Sequence, residues 1–164
     1  MTQLPNPNLD VTLTPLSGDA RPLREWLMTF HLASVVVDPY TNESAWILKT
    51  ASRIMNQFAG AGVRVSFILA CGADDARSFL GPLADEFLVF TDPDRSVIRA
   101  LGLTELPAFV LVRGDGTIPA ADQCWSADTW REVSNEIATL VSWSKPTIPA
   151  PGDPGAFRGT PALV

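Results

Sequence analysis

Histidine occurs once, at His31, and cysteine twice, at Cys71 and Cys124, in a chain of 164 residues. A lone histidine excludes a metal centre built on several imidazoles. It opens an apolar run, so a solvent-edge or capping role is expected of it. The two cysteines are too distant in sequence for a metal-ligand spacing and too few for a disulfide framework. Basic residues are also scarce: 12 Lys and Arg stand against 18 Asp and Glu, a net charge of -6 with no basic run. Such a surface repels phosphate backbones, which excludes nucleic acid as a partner. No apolar stretch approaches the roughly 20 residues that span a bilayer, so no membrane association is expected. Met1 is followed by neither a basic region nor an apolar segment, and the expected compartment is therefore the cytosol. Gly60-Ala61-Gly62 lacks the third glycine of a dinucleotide fingerprint and reads as a helix stop. Asp74-Asp75 and Asp92/Asp94 fall at helix starts, where carboxylates are favoured without a cation. Neither cofactor nor metal is expected.

Apolar residues make up 46% of the chain, enough for one well-filled core without staples. The first eight residues are polar and Pro-rich and are expected to be loose. Leu9, Val11 and Leu13 alternate with polar residues, which predicts a strand over 9–16 at a sheet margin. Arg21 to Leu27 predicts a short helix with Pro22 in its first turn. His31 to Val37 is a continuous, β-branched apolar run, the pattern of a strand covered on both faces. Ile47, Ala51, Ile54, Met55 and Phe58 recur at helical spacing, capped by Thr41 or Asn42. Val63 to Leu69 predicts the next buried strand, and 74–80 a helix. Residues 86–90 form a short strand, and 94–101 a helix opened by Asp92-Pro93. Pro107 to Val112 and Thr117 to Gln123 are expected to pair across an Arg113-Gly114-Asp115-Gly116 turn, where Asp-Gly supplies positive φ. That turn fully accounts for the Arg-Gly-Asp tripeptide. Trp130, Val133, Ile137, Leu140 and Val141 stripe a closing helix from Ser126 or Asp128 to Ser142.

Residues 143–164 differ in kind. Pro146, Pro149, Pro151, Pro154 and Pro161 alternate with Gly152, Gly155 and Gly159. Proline lacks an amide donor and fixes φ, so an extended arm follows the domain of residues 1–142. Its Ile148, Phe157 and Leu163 predict docking on the domain or on a partner.

Three strings in one order carry a family resemblance. Phe90-Thr91-Asp92-Pro93 through Leu101-Gly102-Leu103 resembles a stretch of peroxiredoxins and periplasmic thiol-disulfide oxidoreductases. Leu106-Pro107-Ala108-Phe109-Val110 is similar to the segment where those families carry a cis-proline, and Arg113 to Ile118 to their following hairpin. The chain over about residues 9–142 thus resembles the thioredoxin-like superfamily. The resemblance implies a three-layer α/β fold, a central mixed sheet flanked by helices.

One departure is plain. Those families place a nucleophilic cysteine at the start of the long helix, where the helix N-terminus lowers the thiol pKa. Here that place reads Asp38-Pro39-Tyr40-Thr41-Asn42-Glu43, with no cysteine before position 71. Dithiol exchange needs an attacking thiolate and a resolving partner. The implied sheet order also sets Cys71 and Cys124 three strand spacings apart, roughly 14 Å, beyond the about 7 Å that a disulfide tolerates. In the family, the backbone before the cis-proline pairs with an extended substrate peptide. The leading expectation is therefore a redox-inactive binding module. Its candidate site is Tyr40, Thr41, Asn42 and Glu43 facing Leu106 and Pro107, and its expected partner is another protein or peptide, a second copy of the chain included. The rival expectation is a single-thiol peroxidase or oxidoreductase using Cys71 or Cys124, and a third is a small molecule or anion at the capped helix start.

Overall fold

The computed structural model describes all residues from Met1 to Val164. Its elements are β1 (Thr12–Pro15), β2 (Arg21–Pro22), α1 (Leu23–Trp26), β3 (His31–Val37), α2 (Asn42–Gln57), β4 (Val63–Leu69), α3 (Ala73–Leu80), α4 (Leu83–Glu86), β5 (Leu88–Thr91) and α5 (Ser96–Ala100). There follow β6 (Glu105–Leu106), β7 (Ala108–Val112), β8 (Ala120–Gln123), α6 (Ala127–Val141) and β9 (Thr160–Pro161). Seven strands form one sheet in the order β2-β1-β5-β4-β3-β7-β8, while β6 and β9 form a separate ribbon. The sheet is mixed: β3, β4 and β5 run parallel, whereas β7 lies antiparallel to β3 and β8 antiparallel to β7.

Strand β3 shows why both faces are covered. Ala33, Val35 and Val37 enter one core with Ile47, Ala51 and Ile54 of α2 and Trp130, Val133 and Ile137 of α6. Leu32 and Val36 enter the other, with Trp26 of α1 and Val97 and Ile98 of α5. Successive side chains of a strand point to opposite faces, so an unbroken apolar run serves two layers at once. The three-layer α/β architecture is thus observed. No helix is long and apolar enough to cross a membrane.

Short elements depart from expectation where side chains capture backbone. The strand expected over 9–16 begins only at Thr12, because Asn8 Oδ1 takes the Asp10 N–H at 3.0 Å and its carbonyl takes Val11 N–H, making a turn. The hairpin partner expected from Thr117 begins at Ala120. Asp115 holds both the amide and the hydroxyl of Thr117, and Pro119 has no donor for the ladder. The turn itself forms, with positive φ at Gly116 (86°) but not, as expected, at Asp115 as well. The helix expected over 94–101 is shortened to Ser96–Ala100, since buried Asp92 accepts from the amides of Val97 and Ile98. His31 Nδ1 accepts the Gly114 N–H at 2.9 Å, the capping role expected of it.

Neither terminus stands away from the domain. Thr2 N–H donates to Ala121 O along the outer edge of β8, Pro7 is buried and Pro5 lies against Gly102, so the segment 1–8 expected to be loose is packed. The arm after Ser142 wraps the molecule and supplies Ile148 to one core and Ala162 to the other. Its side chains dock on this same chain, while Leu163 is exposed.

Candidate functional site

The parallel strands end together, and β3 delivers Asp38 to that edge with a side chain only 5% exposed. Its carboxylate accepts the Tyr40 N–H at 3.0 Å through Oδ1 and Arg95 Nη2 at 2.8 Å through Oδ2. Its backbone is engaged too: Asp38 N–H donates to Ser44 Oγ, and Thr41 Oγ1 donates to Asp38 O. The turn leading into α2 is therefore closed on itself around an aspartate. Arg95 reaches it from the turn after Asp92-Pro93, holding a left-handed φ of 59°. Its other nitrogen, Nη1, donates to Ala162 O of the arm at 2.6 Å. One guanidinium thus ties the start of α2 to the end of the chain.

Six residues were expected to face one another here, and the structure divides them. The Val36 and Ala108 pairing sets Pro107 beside Val37, in a cis Leu106-Pro107 peptide as the resemblance implied. Tyr40 turns away, toward α3, where its hydroxyl donates to Asp75 Oδ2. That hydrogen bond, with slight desolvation and the nearby carboxylates, raises the phenol to about 12. Thr41 is spent on Asp38 and Ser44. Asn42 is exposed, and neither it nor Glu43 makes a side-chain hydrogen bond. Only Leu106 and Pro107 belong to a built surface. Asp38 and Arg95, which complete it, were not singled out from the sequence. The ion pair spans 57 positions, and no local pattern announces it.

That surface is occupied by the arm. Strand β9 pairs antiparallel with β6, Thr160 opposite Leu106 and Pro161 opposite Glu105. Ala162 N–H extends the ladder to Thr104 O at 2.9 Å. On the other side of β6, Gln123 Oε1 accepts from the amides of Thr104 and Glu105 and fixes the ribbon to β8. Upstream, Phe157 exchanges backbone hydrogen bonds with Trp125 and meets Trp46 edge to face at 5.4 Å. Asp153 anchors the arm to α2 by accepting from Thr50 Oγ1 at 2.9 Å and Arg53 Nη2 at 2.7 Å.

Both cysteines are free, and they follow β4 and β8, the separated positions expected. Cys71 is buried, and burial, then Asp75 and Asp38, push its thiol up to about 11. Cys124 has φ 68° and donates from Sγ to Glu105 Oε2 at 3.3 Å. Burial raises its thiol as well, over the opposing effect of the Gly159 amide aimed at the sulfur. An attacking thiol needs the reverse shift. No group of His, Cys, Asp or Glu side chains is arranged to hold a metal ion.

No protein-family model matches the chain, and no curated protein matches it in sequence. Solved structures do match in shape. A secreted Mycobacterium tuberculosis disulfide oxidoreductase homologous to E. coli DsbE is 22% identical with a TM-score of 0.62, covering 80% of this chain and 97% of its own. Peroxiredoxin Q from Xanthomonas campestris is 16% identical with a TM-score of 0.65, covering 85% of this chain and 95% of its own.

Proposed function

We propose that this chain, which has the thioredoxin-like fold, is a redox-inactive recognition protein that takes an extended polypeptide segment along Glu105–Leu106. One observation carries the reading: a segment already lies there, antiparallel and hydrogen-bonded, against the residue before cis-Pro107. Adding a strand to a free backbone edge gives affinity through main-chain hydrogen bonds and leaves selection to the side-chain positions. In the resting protein that strand is the chain's own residues 160–161. A partner segment takes its place when the arm lifts. Where the families this chain resembles place a nucleophilic cysteine, it has Asp38, and the pair that Asp38 makes with Arg95 orients the arm instead of reacting.

The full-length Gly159→Val variant tests this, because a side chain at 159 cannot fit against Leu106. The amide of Leu106, which faces Thr160 of the arm, then exchanges with solvent faster. A peptide copying residues 156–164, added in trans, restores its protection. Unaltered protection in the variant, or no response to the peptide, would overturn the reading.

A further inference from the structure

The seated arm also defines what the edge accepts, and this inference rests on the strand-addition reading above. We infer that the ligand class is an extended segment bearing glycine, one unrestricted residue, a residue that can be proline, and then an alanine-sized residue.

Each position follows from a contact. A Cβ at Gly159 would lie 2.5 Å from Leu106 O, 3.0 Å from its carbonyl carbon and 3.2 Å from its nitrogen. Those are backbone atoms of a paired strand and cannot swing aside, so only glycine allows this approach. The requirement is steric, since the left-handed region is not involved. Thr160 comes next, half-buried, with Oγ1 donating to Leu106 O at 3.4 Å. It is held mainly by backbone, and other side chains fit.

Pro161 faces Glu105. In an antiparallel ladder, hydrogen-bonded and non-hydrogen-bonded pairs alternate. Ala162 donates to Thr104, so the 162–104 pair is hydrogen-bonded and the 161–105 pair is not. The missing donor of proline therefore faces outward and costs the ladder nothing. Ala162 is the deepest residue, 0% exposed in the core that contains Leu103 and Leu106. Its amide is bound by Thr104 and its carbonyl by Arg95. A larger side chain there overpacks a filled site.

The test uses full-length Gly159→Val with three peptides: a copy of residues 156–164, the copy with valine in place of its glycine, and the copy with leucine in place of the alanine corresponding to Ala162. Binding is followed by titration and by protection of Cys124, which lies beneath the arm, from alkylation. The native copy binds and shields Cys124, while each altered copy binds at least tenfold more weakly, a factor of ten corresponding to 1.4 kcal/mol. Equal binding of all three peptides overturns the selectivity and leaves the strand-addition reading standing. Binding of none, with the edge shown open by hydrogen exchange, overturns both. Gly159→Ala, the smallest change that sets a Cβ against Leu106, replaces the valine variant if that does not fold.

Discussion

At the scale of single residues, the Asp38–Arg95 pair is the buried ion pair that closes the turn into α2 and holds the arm. Its side chains are 5% and 12% exposed. Removing one member leaves the other buried without a counter-charge, a loss of about 3–5 kcal/mol. Arg95→Ala therefore lowers the melting temperature by about 10 °C. Arg24→Ala, which breaks the exposed pair with Asp10, changes stability by less than about 1 kcal/mol. Thermal and urea unfolding of the two variants check the contrast. The thiols give a second expectation. With Cys71 pushed up to about 11, its alkylation at pH 7 is slower than that of a free thiol and rises only as pH approaches 11. Cys124 is shifted in the same direction and is slow as well. Only a rate at neutral pH faster than that of free cysteine, on either residue, would restore the single-thiol enzyme. The absence of a cysteine before position 71 was legible in the sequence. The replacement was not, because Asp38 and Arg95 meet only in three dimensions, and Gly159 reads as one more linker glycine until Leu106 is set against it.

Among the elements, β3, α2, β4 and α6 were legible nearly to their ends, since α2 and α6 carry a helical period and β3 and β4 an apolar run that tertiary packing reinforces. Boundaries failed at Asn8, Pro119 and Asp92, where a single side chain or a missing amide decides the backbone. The arm was legible in part: Ile148 and Phe157 pack on the domain as expected, but without periodicity its path depends on scattered anchors such as Asp153. Burial works against the charge of that carboxylate. The Ala150 amide, Thr50 hydroxyl and Arg53 guanidinium together outweigh it and hold the group below its ordinary range. A depressed folded pKa means stability that is present above the unfolded value of about 3.9 and lost as pH falls through the lower folded one. Asp153→Ala costs about 2–3 kcal/mol at pH 7, the worth of charge-assisted hydrogen bonds, and speeds amide exchange in residues 150–158. The difference from the parent shrinks on acidification below pH 4, as melting curves at several pH values will show.

Across the whole molecule, the central sheet and the ribbon differ in how they are held. Strands β3, β4 and β7 sit between two cores, whereas β6 and β9 share a ladder of two pairs extended by one hydrogen bond from Ala162 to Thr104. Local openings take place where few buried contacts must break. In native-state hydrogen exchange under rising urea, the β3 and β4 amides follow global unfolding. The amides of Leu106 and Ala162 exchange through a smaller opening with weak denaturant dependence. Gly159→Val therefore shortens protection in the ribbon and leaves the global transition almost unmoved. If the ribbon and the sheet open together, the arm is an integral part of the core and not a displaceable strand.

Because the occupying strand hangs on the same chain, any outside segment competes with a neighbour that never diffuses away. A short tether holds its end at an effective concentration on the order of millimolar. Were the arm seated about 99 times in 100, a segment of given intrinsic affinity would register about a hundredfold weaker. On the proposed strand-addition reading, the arm would thereby set a threshold. Weak, abundant Gly-containing stretches of other proteins would be turned away. Access would go to segments that outbind the arm, or to partners that gain a second foothold elsewhere on the surface and so match the advantage of being tethered.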